Sequence, residues 1–244
     1  MAAPSICPAC EAAGACHFIT HQGMELLECA SCRLVFMAEM PSGLDLEGIY
    51  IEPGDSGLAI VHAKAASKMR RLRRRARALA RCAQGPGRFL DVGADAGFMT
   101  EAMRELGFEA HGVEPHRAAV AYAREHYPKN SYHQTFMEAF EPAGLSFGAV
   151  YCSEVIEHSP DINAFIIAIR RVMEPGAVLY LTTPDIGHWR RPRELDRWDA
   201  FKPPAHCVYF NPGALVRFLE RHGFRILRRR IAFKPGIKLI AARA

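Results

Sequence analysis

RFLDVGADAGFMTEAMRELGFEAHGVE, residues Arg88 to Glu114, reads as strand, tight turn, helix and strand. Phe89, Leu90 and Val92 form a short apolar run that ends at Asp91-Val92-Gly93. Two glycines and several small residues make the turn. Phe98, Met99, Ala102, Met103 and Leu106 then recur at helical spacing, with Gly107 placed to close the helix. A second apolar run ends in Gly112-Val113-Glu114. A carboxylate at the end of the second strand of such a unit grips ribose hydroxyls. Gly93 and Gly97 let the backbone approach a ligand with no Cβ in the way.

The 244 residues around this stretch have room for one α/β domain and a small appendage. Half of the residues are hydrophobic and 23% are charged, as in ordinary soluble domains. No apolar run approaches the ~18 residues of a membrane span. The start, MAAPSICPAC, lacks the basic and apolar regions of a secretory signal. Eight cysteines include two C-x-x-C pairs, which point to metal in a reducing compartment and to a cytoplasmic protein. The net charge of +5 is local: residues 56–90 hold ten Lys or Arg and no acid.

Cys7-x-x-Cys10 and Cys29-x-x-Cys32 are 18 residues apart, a four-thiolate zinc spacing. His17 to Thr20 and Met24 to Glu28 read as strands around Gln22-Gly23. A zinc ribbon over residues 1–37 is expected, with metal supplying its folding energy. Residues 38–57 read as a linker that separates two cores. The helix that follows, from about Leu58 to Ala83, carries an apolar stripe through Met69, Leu72, Ala76, Leu79 and Ala83. Arg70, Arg71, Arg73, Arg74, Arg75 and Arg77 fall mostly off it. They form either a solvated face or a patch for an anionic partner such as RNA.

From residue 84 onward, strands alternate with helices, which implies a parallel sheet. Helices are expected over 118–126, 161–173 (with Ser159 as N-cap and Pro160 at N1) and from Asn211-Pro212 to about His222. Strands are expected over 131–136, 147–153 and 177–183. A closing hairpin over 224–233 and 237–242 would add antiparallel strands. The expected division is 1–37, 38–83 and 84–244.

These residues resemble the class I S-adenosylmethionine (SAM) methyltransferases. Asp91-Val-Gly93-Ala-Asp95-Ala-Gly97 is similar to their D-x-G-x-G-x-G turn, with Asp95 in place of the middle glycine. Ser153-Glu154-Val-Ile-Glu157-His158 resembles the E-V-[IL]-E-H segment of ubiquinone-pathway O-methyltransferases. Met173-Glu-Pro-Gly176, Pro184-Asp185 and His206-Cys-Val-Tyr209-Phe210 match further family motifs in order. A nicotinamide site needs G-x-G-x-x-G, which Gly93-x-x-x-Gly97 does not supply. A glycine-rich turn without a ligand stays open.

The resemblance implies a Rossmann-like seven-stranded sheet, mostly parallel with a C-terminal antiparallel hairpin, preceded by the small zinc ribbon. It implies a SAM site formed by Asp91, Gly93, Asp95, Gly97 and Glu114, with Phe136 and Met137 flanking adenine and Cys152 and Ser153 near the sulfonium. SAM carries no phosphate, so the glycine turn would serve its aminocarboxypropyl arm. His158 and His206 are the candidate catalytic bases. Glu154, Glu157 and His158 could instead hold a divalent cation, as the resemblance suggests. The stretch from Asp185 to Pro204 reads as a substrate lid or a pinned loop, which makes His188, Trp189, Trp198 and Tyr209 candidate substrate contacts. The expected function is SAM-dependent methylation of an O, N or C atom of a small metabolite or carrier-bound intermediate. Two alternatives remain: an RNA methyltransferase using the ribbon and the arginine helix, and a non-catalytic SAM-fold binding module.

Overall fold

The strand–turn–helix–strand stretch folds as its pattern predicts. In the computed structural model, which describes residues 6–41, 56–230 and 232–244 and the side chains of all but 56–66 among them, β4 is Arg88–Val92, α2 is Phe98–Arg104 and β5 is Glu109–Val113. Phe98, Met99, Ala102 and Met103 are buried on the inner face of α2. Gly107, at φ 90°, closes it as the sequence predicts: its N–H reaches Arg104 O, and the Phe108 N–H reaches Met103 O.

Before this stretch come β1 (Ala15–His21), β2 (Met24–Cys29), β3 (Val35–Met37) and the basic helix α1 (Ser56–Ala80). After it come α3 (Arg117–His126), β6 (Ser131–His133), β7 (Phe147–Ser153), α4 (Ile162–Val172), β8 (Met173–Thr183), β9 (Val208–Tyr209), α5 (Pro212–Arg221), β10 (Phe224–Arg230) and β11 (Ile237–Arg243). Seven strands form one sheet in the order β10-β11-β8-β7-β4-β5-β6. β4 lies parallel to both β5 and β7, and β5 to β6, while the C-terminal strands run antiparallel. The strand order changes direction on either side of β4, the position where open α/β sheets bind ligands. No helix among the described residues is long and apolar enough to cross a membrane.

The second sheet is β1-β2-β3-β9. The hairpin around Gln22-Gly23 was legible; its extension was not. β3 pairs with β2, and β9 adds Tyr209 opposite Val35 and Val208 opposite Phe36. The chain divides into two compact units. A cysteine-bearing unit comprises Met1–Leu46, Ser153–Ile167 and Leu181–Ala241; a glycine-turn unit comprises Glu47–Cys152, Ala168–Tyr180 and Ala242–Ala244. This grouping differs from the three consecutive segments expected from the sequence. Most of the expected linker, residues 42–55, lies outside the described residues.

Three local readings need correction. Helix α4 is capped by Asp161, whose Oδ1 accepts from the N–H groups of Asn163 and Ala164, both at 3.0 Å. Ser159 instead donates its hydroxyl to the Asp161 carbonyl. The third strand ends at His133, because a short 3-10 turn over Met137–Ala139 follows. Strand β8 begins at Met173, directly after α4, four residues earlier than expected.

Gly97 starts α2 at φ 77°, and a Cβ there would lie 2.5 Å from the Tyr132 hydroxyl and 3.0 Å from Ala123 Cβ. Tyr132 packs with Val120, Ala123 and Tyr127, so it has little room to retreat. Left-handed backbone costs a non-glycine residue about 1–2 kcal/mol, and overpacking about 1–3 more. Gly97→Ala is therefore expected to lower unfolding stability by about 2–5 kcal/mol in urea titrations. A variant as stable as its parent would contradict the close approach.

Candidate active site

In the glycine-turn unit, the end of β4 is held by its own backbone. The N–H groups of Gly93 and Ala94 both reach Val113 O, at 2.9 and 3.1 Å. Asp91 turns its carboxyl toward α2. It is buried, and its Oδ2 accepts both the N–H (3.1 Å) and the hydroxyl (2.9 Å) of Thr100 on α2. Burial pushes its carboxyl up to about 8, opposed by these two bonds. Asp91 thus locks strand to helix and shapes the turn.

Glu114 lies at the end of β5, where the sequence placed it. Its Oε2 accepts from the Asp95 N–H and its Oε1 from the His116 N–H, each at 2.9 Å. Each carboxylate oxygen has two lone pairs, so both keep capacity for a ligand hydroxyl. Burial raises its pKa, and the two N–H donors oppose that rise. Asp95 takes a left-handed backbone, φ 47°, which a glycine would adopt more easily, and its side chain pairs with Lys68 of α1 at 2.6 Å. Past β6, Phe136 is half-buried and Met137 is buried; Cys152, near the end of β7, is fully buried. A surface hollow lined by Pro86, Arg88, Glu109 and Glu174 includes the amino-terminal residues of β4 and β5, the wrong end for a ligand in such a sheet.

Glu114→Ala removes a charged acceptor worth roughly 1.5–3 kcal/mol. SAM affinity measured by calorimetry should fall about tenfold or more. Unchanged affinity in a folded variant would remove Glu114 from the site.

The cysteine-bearing unit holds two clusters of possible metal ligands. Cys7, Cys10, Cys29 and Cys32 offer sulfurs all within 4.8 Å of one another. The Cys7–Cys32 and Cys10–Cys29 sulfur distances, 3.5 and 3.6 Å, approach the ~3.8 Å edge of a tetrahedron with metal–sulfur bonds of about 2.3 Å. The two turns match: Glu11 N–H returns to Cys7 O and Arg33 N–H to Cys29 O, with Glu11 and Arg33 at φ 60° and 63°. All four thiols are free of disulfides.

The second cluster is Glu157, His158 and His206. It differs from the Glu154, Glu157 and His158 set suggested by the sequence. Glu154 Oε1 accepts the Thr182 hydroxyl at 2.6 Å, and that hydroxyl lies 2.7 Å from Ser153 Oγ. Glu157 is fully buried; its Oε2 accepts from Thr183 and its Oε1 has no hydrogen-bond partner among the described residues. Burial and the nearby Glu154 carboxylate raise its pKa. The His158 and His206 rings meet edge to face, with centroids 4.4 Å apart. His158 Nδ1 lies 2.8 Å from Ala205 O and His206 Nδ1 2.7 Å from Ala200 O, so each Nδ1–H donates and Nε2 carries the lone pair. Burial lowers both pKa values, that of His206 to about 4. Both rings are therefore neutral at physiological pH. The sequence grouped Glu157 with His158, but no local signal joined His206 to them.

The other candidate contacts divide sharply. Trp189 is 79% exposed and stacks beside His188, whose Nε2 reaches Ala232 O. Trp198 and Tyr209 are buried, and the Tyr209 hydroxyl accepts from Lys202 N at 3.1 Å. Trp198 thus pins the Asp185–Pro204 segment, whereas Trp189 lies at the surface with the Arg190 guanidinium 5.4 Å from its ring centroid. On α1, Arg73 grips both Glu105 carboxylate oxygens, and Arg75 donates to the Tyr151 hydroxyl.

Comparison with known proteins bears on the family and the fold. The family profile described as "Methyltransferase domain" matches residues 62–229. The ubiquinone biosynthesis O-methyltransferase of Rhodopseudomonas palustris strain TIE-1 is 29% identical over 155 residues, covering 56% of this chain and 60% of that protein. That of strain HaA2 is 30% identical over 173 residues, covering 63% and 67%. The chain thus spans about 60% of the length of the first curated relatives it matches. Among solved structures, magnesium protoporphyrin IX methyltransferase from Synechocystis PCC 6803 with bound SAH has a TM-score of 0.58 at 16% identity, covering 73% of this chain and 84% of that one. A glycopeptide N-methyltransferase with SAM has a TM-score of 0.53 at 20% identity, covering 70% and 93%. At these identities the solved structures share the fold.

Proposed function

The chain belongs to the methyltransferase-domain family, and on that premise we propose that it transfers the methyl group of SAM to an oxygen, nitrogen or carbon atom of a small metabolite or carrier-bound intermediate. The observation that carries this reading is Glu114. Its carboxylate is held by two backbone N–H groups beside the glycine turn, with lone pairs left for ribose hydroxyls. SAM, when bound, supplies a methyl carbon activated by a sulfonium. The chain's task is then to hold the acceptor in a near-attack position and to take its proton. His206 and His158, neutral with their Nε2 lone pairs set by carbonyl contacts, are the proposed groups for that proton. Trp189 is the proposed contact for the acceptor's apolar part.

The named activity of the curated relatives supports testing oxygen acceptors first. Arg73 and Arg75 are engaged by groups of the chain itself, which favours a small acceptor over RNA. We assign the four-cysteine cluster to structural zinc, since four thiolates close a tetrahedral site with no open position. Such a site suits a reducing compartment, and we place the protein in the cytoplasm. Calorimetry with SAM, followed by a labelled-methyl screen over phenolic, amine and carrier-bound acceptors, tests the proposal. Absence of SAM binding by the folded chain would sink it.

A further inference from the structure

The two most exposed large apolar side chains among the described residues are Trp189 and Phe233, each 79% exposed. They lie far apart in the sequence, yet the Arg190 guanidinium is over both rings, 5.4 Å from the Trp189 centroid and 5.2 Å from that of Phe233. His188 ties the two segments together. Its Nδ1 accepts from the Arg190 N–H at 3.1 Å, so its Nε2–H donates to Ala232 O at 3.0 Å. Arg191 braces the same turn through the carbonyls of Ile186 and Pro192. The Ile186 N–H in turn donates to Phe210 O, at the end of the run that starts at His206.

Rings this exposed gain little from burial, and an exposed cation–π contact adds little stability. What the arrangement does is hold a cation ready. Ring faces attract the guanidinium through its charge and take none of its five N–H donors. Among the described residues the Arg190 side chain has no hydrogen bond and no carboxylate partner. Two acids of the same segment are engaged elsewhere, Glu194 with Arg197 and Asp196 with His21. The stretch that carries Phe233 adds charge of the same sign: residues 224–238 hold six Lys or Arg and no acid. Arg228, Arg229 and Arg230 are exposed there, on the edge strand β10. A planar guanidinium with a free fork binds a carboxylate or phosphate through two parallel N–H···O bonds. The adjoining rings offer apolar surface to whatever carries that group.

We propose that Arg190, with Trp189 and Phe233, is the receptor for an oxyanion, a carboxylate or a phosphate, on the methyl acceptor. This names the acceptor class for the methyl-transfer reading above and rests on it. Calorimetry on the full chain without SAM should compare 4-hydroxybenzoate, phenyl phosphate and uncharged phenol. The better of the two anions should bind about tenfold or more tighter than phenol, and their order distinguishes carboxylate from phosphate. Arg190→Gln should abolish that preference and leave phenol within about twofold of the parent. Arg190→Lys, which cannot pair two oxygens in parallel, should lose most of it. Phe233→Ala should narrow the preference while thermal unfolding stays unchanged, because the ring it removes is exposed. An anion preference that survives Arg190→Gln, equal binding of charged and uncharged probes, or no binding of any probe would overturn the inference. Retention on phosphatidylglycerol vesicles without binding of the soluble anions would assign the patch to a lipid surface and overturn it as well. SAM binding is read separately on the same preparations. Its absence sinks the methyl-transfer reading, whereas a missing anion preference in a chain that binds SAM sinks this inference alone.

Discussion

His206→Asn is expected to lower the turnover number by about 10²–10⁴ while SAM affinity stays within about twofold. Asparagine keeps an N–H close to the position of Nδ1, which in the parent donates to Ala200 O at 2.7 Å. It supplies no counterpart to Nε2. The substitution therefore preserves the bond that shapes the loop and removes the lone pair. Burial and the adjacent His158 hold the imidazole down to about 4, so the neutral ring dominates at pH 7. A base this weak suits an acceptor whose proton becomes strongly acidic as the methyl group arrives. The working form is lost as pH falls through about 4, so the acid limb attributable to His206 should lie there and not near 6.5. Near-normal turnover of the Asn variant on its true acceptor would end the proposal, and His158 would be next to test.

The second large effect concerns the four cysteines. Cys29→Ser should release the single zinc and unfold the ribbon, because metal binding contributes roughly 10–16 kcal/mol to folding in zinc-finger peptides. The sequence alone suggested that such damage would stop at a linker. The structure carries it further. Met37 N–H donates to Cys207 O, Val35 and Phe36 pair with Tyr209 and Val208, and the Asn211 amide donates to the carbonyls of Cys32 and Arg33. The segment so held, Cys207–Asn211, directly follows His206. Turnover should fall about tenfold or more as this segment loses its partner, as local unfolding spreads through paired elements. SAM affinity should change little, because Glu114, Asp95 and the glycine turn belong to the other compact unit. Metal analysis, calorimetry and turnover on the same preparation test this. A zinc-free Cys29→Ser protein with full turnover would refute it.

What the sequence revealed was short-range. Gly93, Gly97 and Glu114 were legible because a turn and a strand end are specified within about 25 residues of one βαβ unit. The cysteine spacing was legible because each pair makes its own turn. Readings failed where two local signals competed, as at Ser159 and Asp161, both suitable helix caps only two residues apart. They also failed where a contact joins distant segments. Two-residue strand β9 has no periodicity to detect, and its role exists only through β3. Lys68 looked like one cation among ten, until the fold set it against Asp95.

The pairing of β3 with β9 also orders events in time. Met37 leaves the ribosome about 170 residues before Val208. At roughly 5–20 residues per second, the first three strands of that sheet wait about 10–30 s for the fourth. During that interval β3 presents an open hydrogen-bonding edge, the kind of surface that recruits other nascent chains. Metal capture by the four cysteines proposed to hold zinc would leave this edge unpaired. Shortening the chain before Val208 therefore exposes a strand near the opposite end of the sequence, far from the cut.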